Sequence, residues 1–364
     1  MTKAFNLLTS QFNKDWLSKL AIGYLIFFLI VALGASWWPL PHGPNEINLY
    51  HIYQVPAYLL KSQTSQSLYL LGTDQLGRDL FANLVFGART ALLISLPAML
   101  VATIVGVGLG SLAGFFGNQG FRISLATLLA WFLAALIFIF YGFFTDWISV
   151  ITGSPLSKSI NIILTGLGAA LLFLLFRWLL NQVKYSQKRL SLPIDVLVLK
   201  VIELIQSVPR LLLVLALASF VTQSFGVVIF LAVITYWPGI ARLVRAEIIK
   251  IKAMPFMEAA VALGLPNYRI ILKHALPNVL TPIIVSFAFG LSNLMALEST
   301  LSFLGIGIPP DVPSWGRAIV GVRLNMNAWW LVLFPGLVLC ITVLAIQRVG
   351  NYVIKQVNPM RNKN

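Results

Sequence analysis

Apolar runs long enough to cross a lipid bilayer recur along the whole chain, and nothing constrains its fold more. A helix spans the hydrocarbon core in about 20 residues. Runs of that length lie near 20–38, 91–115, 123–145, 159–180, 196–220, 227–244, 280–304 and 329–347. With 59% apolar and only 10% charged residues, the composition lies outside the soluble globular range. The expected class is all-α, a polytopic transmembrane helical protein.

The formal charge of +15 is of the kind that marks nucleic-acid binders. Its distribution points elsewhere. With the N-terminus in the cytoplasm, lysines and arginines gather in inner loops and at inner helix ends, and Lys61, Arg78, Arg89, Lys158, Arg317 and Arg323 are left outside. That is the positive-inside asymmetry, and the inverted topology violates it. The layout is therefore an inner N-terminus over 1–19, a first helix over 20–38, an outer segment over 39–90, a membrane domain over 91–347 and an inner tail over 348–364. The first apolar run, Leu20 to Trp38, exceeds the core of a signal peptide, which predicts a retained helix. The single cysteine, Cys340, lies in an apolar run and is expected to act as a small core hydrophobe.

Between two apolar runs lies Glu258-Ala259-Ala260-Val261-Ala262-Leu263-Gly264, followed by Leu276-Pro277. Pro255 suits a first helical turn and Gly264 a left-handed closure, so a helix of about two turns is expected. Pro266 opens a second helix, which Pro277 is expected to interrupt. Phe256, Ala260 and Leu263 share one stripe, and Ala259 and Ala262 let another backbone approach. This stretch, part of an inner loop over about 245–279, resembles the coupling loop of bacterial ABC importer permeases. Further blocks resemble the dipeptide, oligopeptide and nickel branch: Leu71-Gly72-Thr73-Asp74-Gln75-Leu76-Gly77-Arg78-Asp79, His274-Ala275-Leu276-Pro277-Asn278, and Leu301-Ser302-Phe303-Leu304-Gly305 with Pro313-Ser314-Trp315-Gly316. They lie in order across residues 71–316.

The resemblance implies a six-helix permease core, and this chain departs from it over 118–190, where two extra apolar runs return to Lys184, Lys188 and Arg189. An even number of crossings leaves the later topology unchanged, so the insertion is expected as a hairpin, peripheral or binding a lipid or accessory subunit. Asp146 would lie near its outer end. Other departures are Gly350-Asn351 and Asn358-Pro359, where the family carries acids, and Pro266, where it often carries serine.

Within the outer segment, Gly72, Asp74, Gly77, Arg78 and Asp79 make either a docking surface for a binding protein or a hydrogen-bonded turn that leads into the second helix. Trp37, Trp38 and Tyr50 suit an interfacial belt, as do Trp329 and Trp330 at the last helix. His42 and His51 form too sparse a set for a metal site. Gly106, Gly110 and Gly114 recur every four residues, which favours close helix packing. Charges at the bilayer centre cost roughly 2.5–3.5 kcal/mol on insertion scales. Glu203 and Arg210 fall on one helical face and either line the path or, as favoured, form an inner-leaflet pair, while Glu298 is the better candidate for a pathway or interface group. Trp315 would stiffen a proline-rich outer loop over 305–328 that caps the path.

No phosphate loop, zinc-binding His-Glu-x-x-His or nucleophile elbow occurs in the sequence. Nothing predicts catalysis, a metal or a bound cofactor. The resemblance implies ATP and Mg on partner ATPases, with a homologous second permease and an outer binding protein completing an inner-membrane importer. The rivals are a self-sufficient ion-coupled transporter, which would need more midplane charges and an internal repeat, and an accessory membrane subunit.

Overall fold

The computed structural model describes residues 15–59, 69–118, 189–219 and 223–357 without interruption, and shorter pieces between 120 and 182. Its helices are α1 (Trp16–Gly34), α2 (Leu80–Phe116), α3 (Ala170–Leu179), α4 (Ile194–Gln206), α5 (Arg210–Ala218) and α6 (Phe225–Lys252). There follow α7 (Pro255–Ala262), α8 (Asn267–Phe303), α9 (Trp315–Val320) and α10 (Trp330–Val357). Among the described residues, α1, α2, α6, α8 and α10 are long and apolar enough to cross a membrane. The pair α4 and α5 passes the same test only as one span bent by 79°. The class is all-α and polytopic, with two three-residue strands as the exception.

The chain divides into two compact units, residues 1–115 with 198–364, and residues 116–197. In the smaller unit β1 (Arg122–Ser124) and β2 (Arg189–Ser191) pair antiparallel, Arg122 opposite Ser191, and Trp131 packs on Phe173 with ring centroids 5.0 Å apart. Most of the runs over 123–145 and 159–180, together with Asp146, lie outside the described residues.

Within the larger unit, small residues decide which helices meet. A Cβ at Gly106, Gly110 or Gly114 would fall 2.9, 2.5 or 2.8 Å from the carbonyl oxygens of Trp237, Ala241 and Arg245, so the stripe lies directly against the backbone of α6. Tyr24 on α1 meets Thr342 on α10 at 2.7 Å, and Arg348 reaches Asp15 at 2.6 Å, joining the start of α1 to the late part of α10. The principal core gathers Phe28, Leu84, Ala88, Leu92, Met295, Trp315, Trp330 and Ile346 from α1, α2, α8, α9 and α10.

Several expectations change. The second membrane helix starts at Leu80 rather than near 91, because Leu80, Leu84 and Ala88 are buried while Asn83 and Arg89 interrupt the apolar run only on the other side. The span expected over 196–220 breaks at Ser207-Val208-Pro209, where proline cannot continue the ladder. Pro277, by contrast, ends nothing. A π turn over Ile271–Ala275 widens the backbone ahead of it, Asn278 Nδ2 donates to the His274 carbonyl at 2.7 Å, and α8 runs on. Cys340 is exposed on α10 rather than buried, on the face that also presents Leu333, Leu337, Ile341 and Leu344. Trp330 is buried instead of interfacial, its Nε1 donating to the Thr73 carbonyl at 3.1 Å.

Candidate functional site

Chemistry-bearing residues collect in three places along the larger unit. The first is the corner between α6 and α8, expected from the sequence to lie on the inner side. Met254 precedes α7, Pro255 fills its first turn, and Gly264 closes it at φ 71°, where Leu265 N–H bonds the Ala260 carbonyl at 3.3 Å. Met257 and Ala260 turn inward and are buried. Phe256, Glu258, Ala259 and Leu263 remain exposed. The stripe read from the sequence is thus corrected: Ala260 anchors the helix within this chain, and the free face runs through Phe256, Ala259 and Leu263. The periodicity was right, but an apolar position has no label saying which of two surfaces it serves. Leu276 and Pro277 belong to the start of the continuing membrane helix, set off from this corner by the π turn.

A second cluster forms the outer block. Gly72, at φ 84°, and Gly77, at φ 71°, sit so close to the carbonyls of Gln54 and Asn48 that a Cβ would fall 2.6 and 1.8 Å from them. The Asp74 carboxylate accepts from Leu76 N at 2.8 Å and Arg78 N at 2.9 Å, while Asp79 accepts from Phe81 N at 3.0 Å and so caps α2. Burial raises both carboxyls above their ordinary values, against the pull of those same amides. Asp74 and Asp79 are therefore held by backbone donors, with the Arg78 charge close to Asp74, an arrangement that forms a hydrogen-bonded turn and leaves the docking role to be tested. Thr73, not singled out in the sequence, ties the turn to the preceding segment by accepting from Gln54 N at 2.8 Å and donating to the His51 carbonyl. His42 and His51 both face the Tyr69 ring, at centroid distances of 4.4 and 5.6 Å.

Against this turn stands the loop after α8, in which Ser314, Trp315 and Gly316 each make a close contact. Ser314 Oγ donates to Glu298 at 2.8 Å, Trp315 Nε1 donates to the Leu84 carbonyl at 2.9 Å, and a Cβ on Gly316 would strike the Ser299 carbonyl at 1.8 Å. Arg317 spends its fork on the carbonyls of Ile308, Pro309 and Val312, and burial lowers its pKa, with Arg78 nearby adding to the effect. Glu298 is enclosed, 2% exposed, accepting also from Ser302 at 2.9 Å and Ser299 at 3.3 Å. It is a pin between the helix and the outer loop, and the serines one and four residues on were the overlooked signal. Arg78, Arg317 and Arg323 line a cavity of about 260 Å³ with Asp74 and Gln75.

Third is the break between α4 and α5. Glu203 pairs with Lys200 at 2.8 Å, and Arg210 stacks on the Tyr236 ring at 4.1 Å from its centroid. The expected Glu203–Arg210 pair does not form, since the one-face argument assumed an unbroken helix between them. Among the described residues no group of three metal-ligating side chains converges.

Residues 185–357 match the family described as the binding-protein-dependent transport system inner membrane component. That match covers just under half of the chain and is to the membrane component of ABC importers. Along most of its length it is similar to the di/tripeptide transport system permease protein DppC of Pseudomonas aeruginosa, 26% identical over 94% of this chain and 88% of that one. The dipeptide transport system permease protein DppC of Alkalihalophilus pseudofirmus is 27% identical over 96% and 88% of the two chains, and the oligopeptide transport system permease protein OppC of Haemophilus influenzae 23% over 94% and 85%. The permease is a multi-pass inner-membrane transport subunit rather than an enzyme.

Proposed function

We propose that the permease moves peptides or a related solute, delivered by an outer binding protein, in an assembly with a second homologous permease and two cytoplasmic ATPases that carry the ATP and Mg. Both termini lie in the cytoplasm in this reading, with the outer block facing the binding protein. The observation that carries it is the inner corner. α7 is anchored by Met257 and Ala260, closed by a left-handed Gly264, and leaves Phe256 at 42% and Leu263 at 79% exposed beside Glu258. A short rigid helix with an apolar outer face suits a groove on an ATPase. Closure of the ATPase pair would then shift the inner ends of α6 and α8 as rigid bodies and alternate the access of the path.

Two substitutions test this. Glu258→Lys reverses a charge on the free face, and Gly264→Pro removes the N–H that bonds the Val261 carbonyl at 2.9 Å and forbids the positive φ. Each is expected to abolish uptake while the chain still inserts and the ATPases still hydrolyse ATP; retained uptake in both refutes the coupling role. Co-purification in mild detergent is expected to bring a second permease and ATPases, and a lone chain driving uptake under an ion gradient refutes the importer reading.

A further inference from the structure

Arg210 sits where a bare cation is disfavoured. At a helical rise of about 1.5 Å, α4 carries the chain roughly 20 Å from its inner end before the break, and Tyr236 lies roughly 16 Å from the outer end of α6. With the starts of α4 and α6 taken as the two faces of the bilayer, both reckonings put the guanidinium within the hydrocarbon zone. Glu203, the acid nearest in sequence, is held by Lys200. Among the described residues Arg210 meets Tyr236, through both its ring and a side-chain hydrogen bond, and no carboxylate forms an ion pair with it. The side chain is nonetheless exposed. It lines a cavity of about 240 Å³ with Gln206, Pro209, Leu213 and Thr235, opened by the 79° break in the span.

An exposed arginine at this depth faces water or a counter-anion rather than lipid, and a broken span beside a cavity is the arrangement in which transport proteins offer polar groups to their cargo. We infer that Arg210 is a carboxylate-binding residue of the translocation path, engaging the free C-terminal carboxylate of a peptide-class cargo midway across the membrane. The guanidinium fork matches a carboxylate through two parallel hydrogen bonds, and Tyr236, which lies beneath the guanidinium and also hydrogen-bonds it, holds it in place with further N–H donors left over. Thr235 and Gln206 add neutral polar groups beside the fork. This inference rests on the importer reading above.

The test uses the whole complex. In a Cys340→Ser background, Arg210→Cys is treated in native membranes with a charged, membrane-impermeant methanethiosulfonate. Modification is expected, slower while a tripeptide is being transported. In parallel, uptake of a tripeptide with a free carboxylate is measured at saturating binding protein. Arg210→Gln is expected to lower the maximal rate about tenfold or more, the loss of a charge-assisted bond, and Arg210→Lys to recover part of it. The binding protein's own affinity for the peptide stays the same. A cysteine that the reagent never reaches puts the side chain in lipid or against protein and overturns the inference; so does an Arg210→Gln variant carrying peptide at the wild-type rate. A wild-type complex that carries no peptide overturns the importer reading and the carboxylate role with it, whereas wild-type peptide uptake alongside an unreactive cysteine overturns the inference alone.

Discussion

Adding one methyl group to Gly110 should wedge apart two helices, and the same addition two residues earlier should do nothing of the kind. The Cβ of an alanine at 110 would lie 2.5 Å from the Ala241 carbonyl oxygen, 3.0 Å from the Val244 Cβ and 3.1 Å from the Ala241 Cα. Ordinary contact begins at about 3.4 Å, so α2 has to retreat from α6 by about 0.9 Å, and the obstacle is backbone that has no rotamer to escape into. A gap of that size forfeits about a quarter to a half of each dispersion contact along the seam. Together with the strain, the cost is about 1–3 kcal/mol. Gly108 is the control, since nothing lies within 4 Å of its added Cβ on the same helix. Intrinsic helix propensity favours alanine equally at both positions, so the difference between the variants isolates the packing. The assay is the thermal midpoint of the detergent-solubilised complex followed by fluorescence-detected size exclusion. Gly110→Ala is expected to fall several degrees below Gly108→Ala. Indistinguishable midpoints would refute the close α2–α6 seam.

Asp79 offers a pH test. Burial holds its carboxyl above the ordinary value, outweighing the Phe81 and Ala82 amides. A carboxyl raised in the fold gives most stability below its unfolded value of about 3.9 and loses it as pH rises through the folded value. Amide exchange at the start of α2, corrected for intrinsic rates, should therefore slow on acidification within that window, and Asp79→Asn should remove the dependence while keeping the cap. Asp79→Ala is expected to cost about 1 kcal/mol, and an equal loss in the asparagine variant would contradict the assignment. Trp315→Ala is expected to cost about 3–5 kcal/mol by emptying the core between α1, α2 and α8. Trp315→Phe, which removes chiefly the bond to the Leu84 carbonyl, should cost only about 1 kcal/mol in chemical unfolding.

The sequence by itself determined the class, most of the membrane spans and the glycine-closed inner corner, because those follow from local rules. Hydrophobic length fixes a span, a left-handed closure favours Gly264, and ordered motif blocks carried the permease resemblance. It also singled out Gly72, Gly77 and Trp315 without saying what they touch. Only the tertiary structure decided that. Gly77 is required by the Asn48 carbonyl, which lies 29 residues away in sequence, and Gly316 by the Ser299 carbonyl on another helix. Direction was equally out of reach. Ala260 and Leu263 are both apolar, yet one is 4% exposed and the other 79%, since helical period gives the angle between them and not the position of the neighbouring helix. Charges were misplaced for the same reason. Pairing Glu203 with Arg210 needed a straight helix, while the break at Pro209 sent one to Lys200 and the other to Tyr236. Proline at 209 broke its span and proline at 277 did not, because a π turn and the Asn278 side chain took up the freed backbone in the second case, a choice made by packing that no single residue encodes.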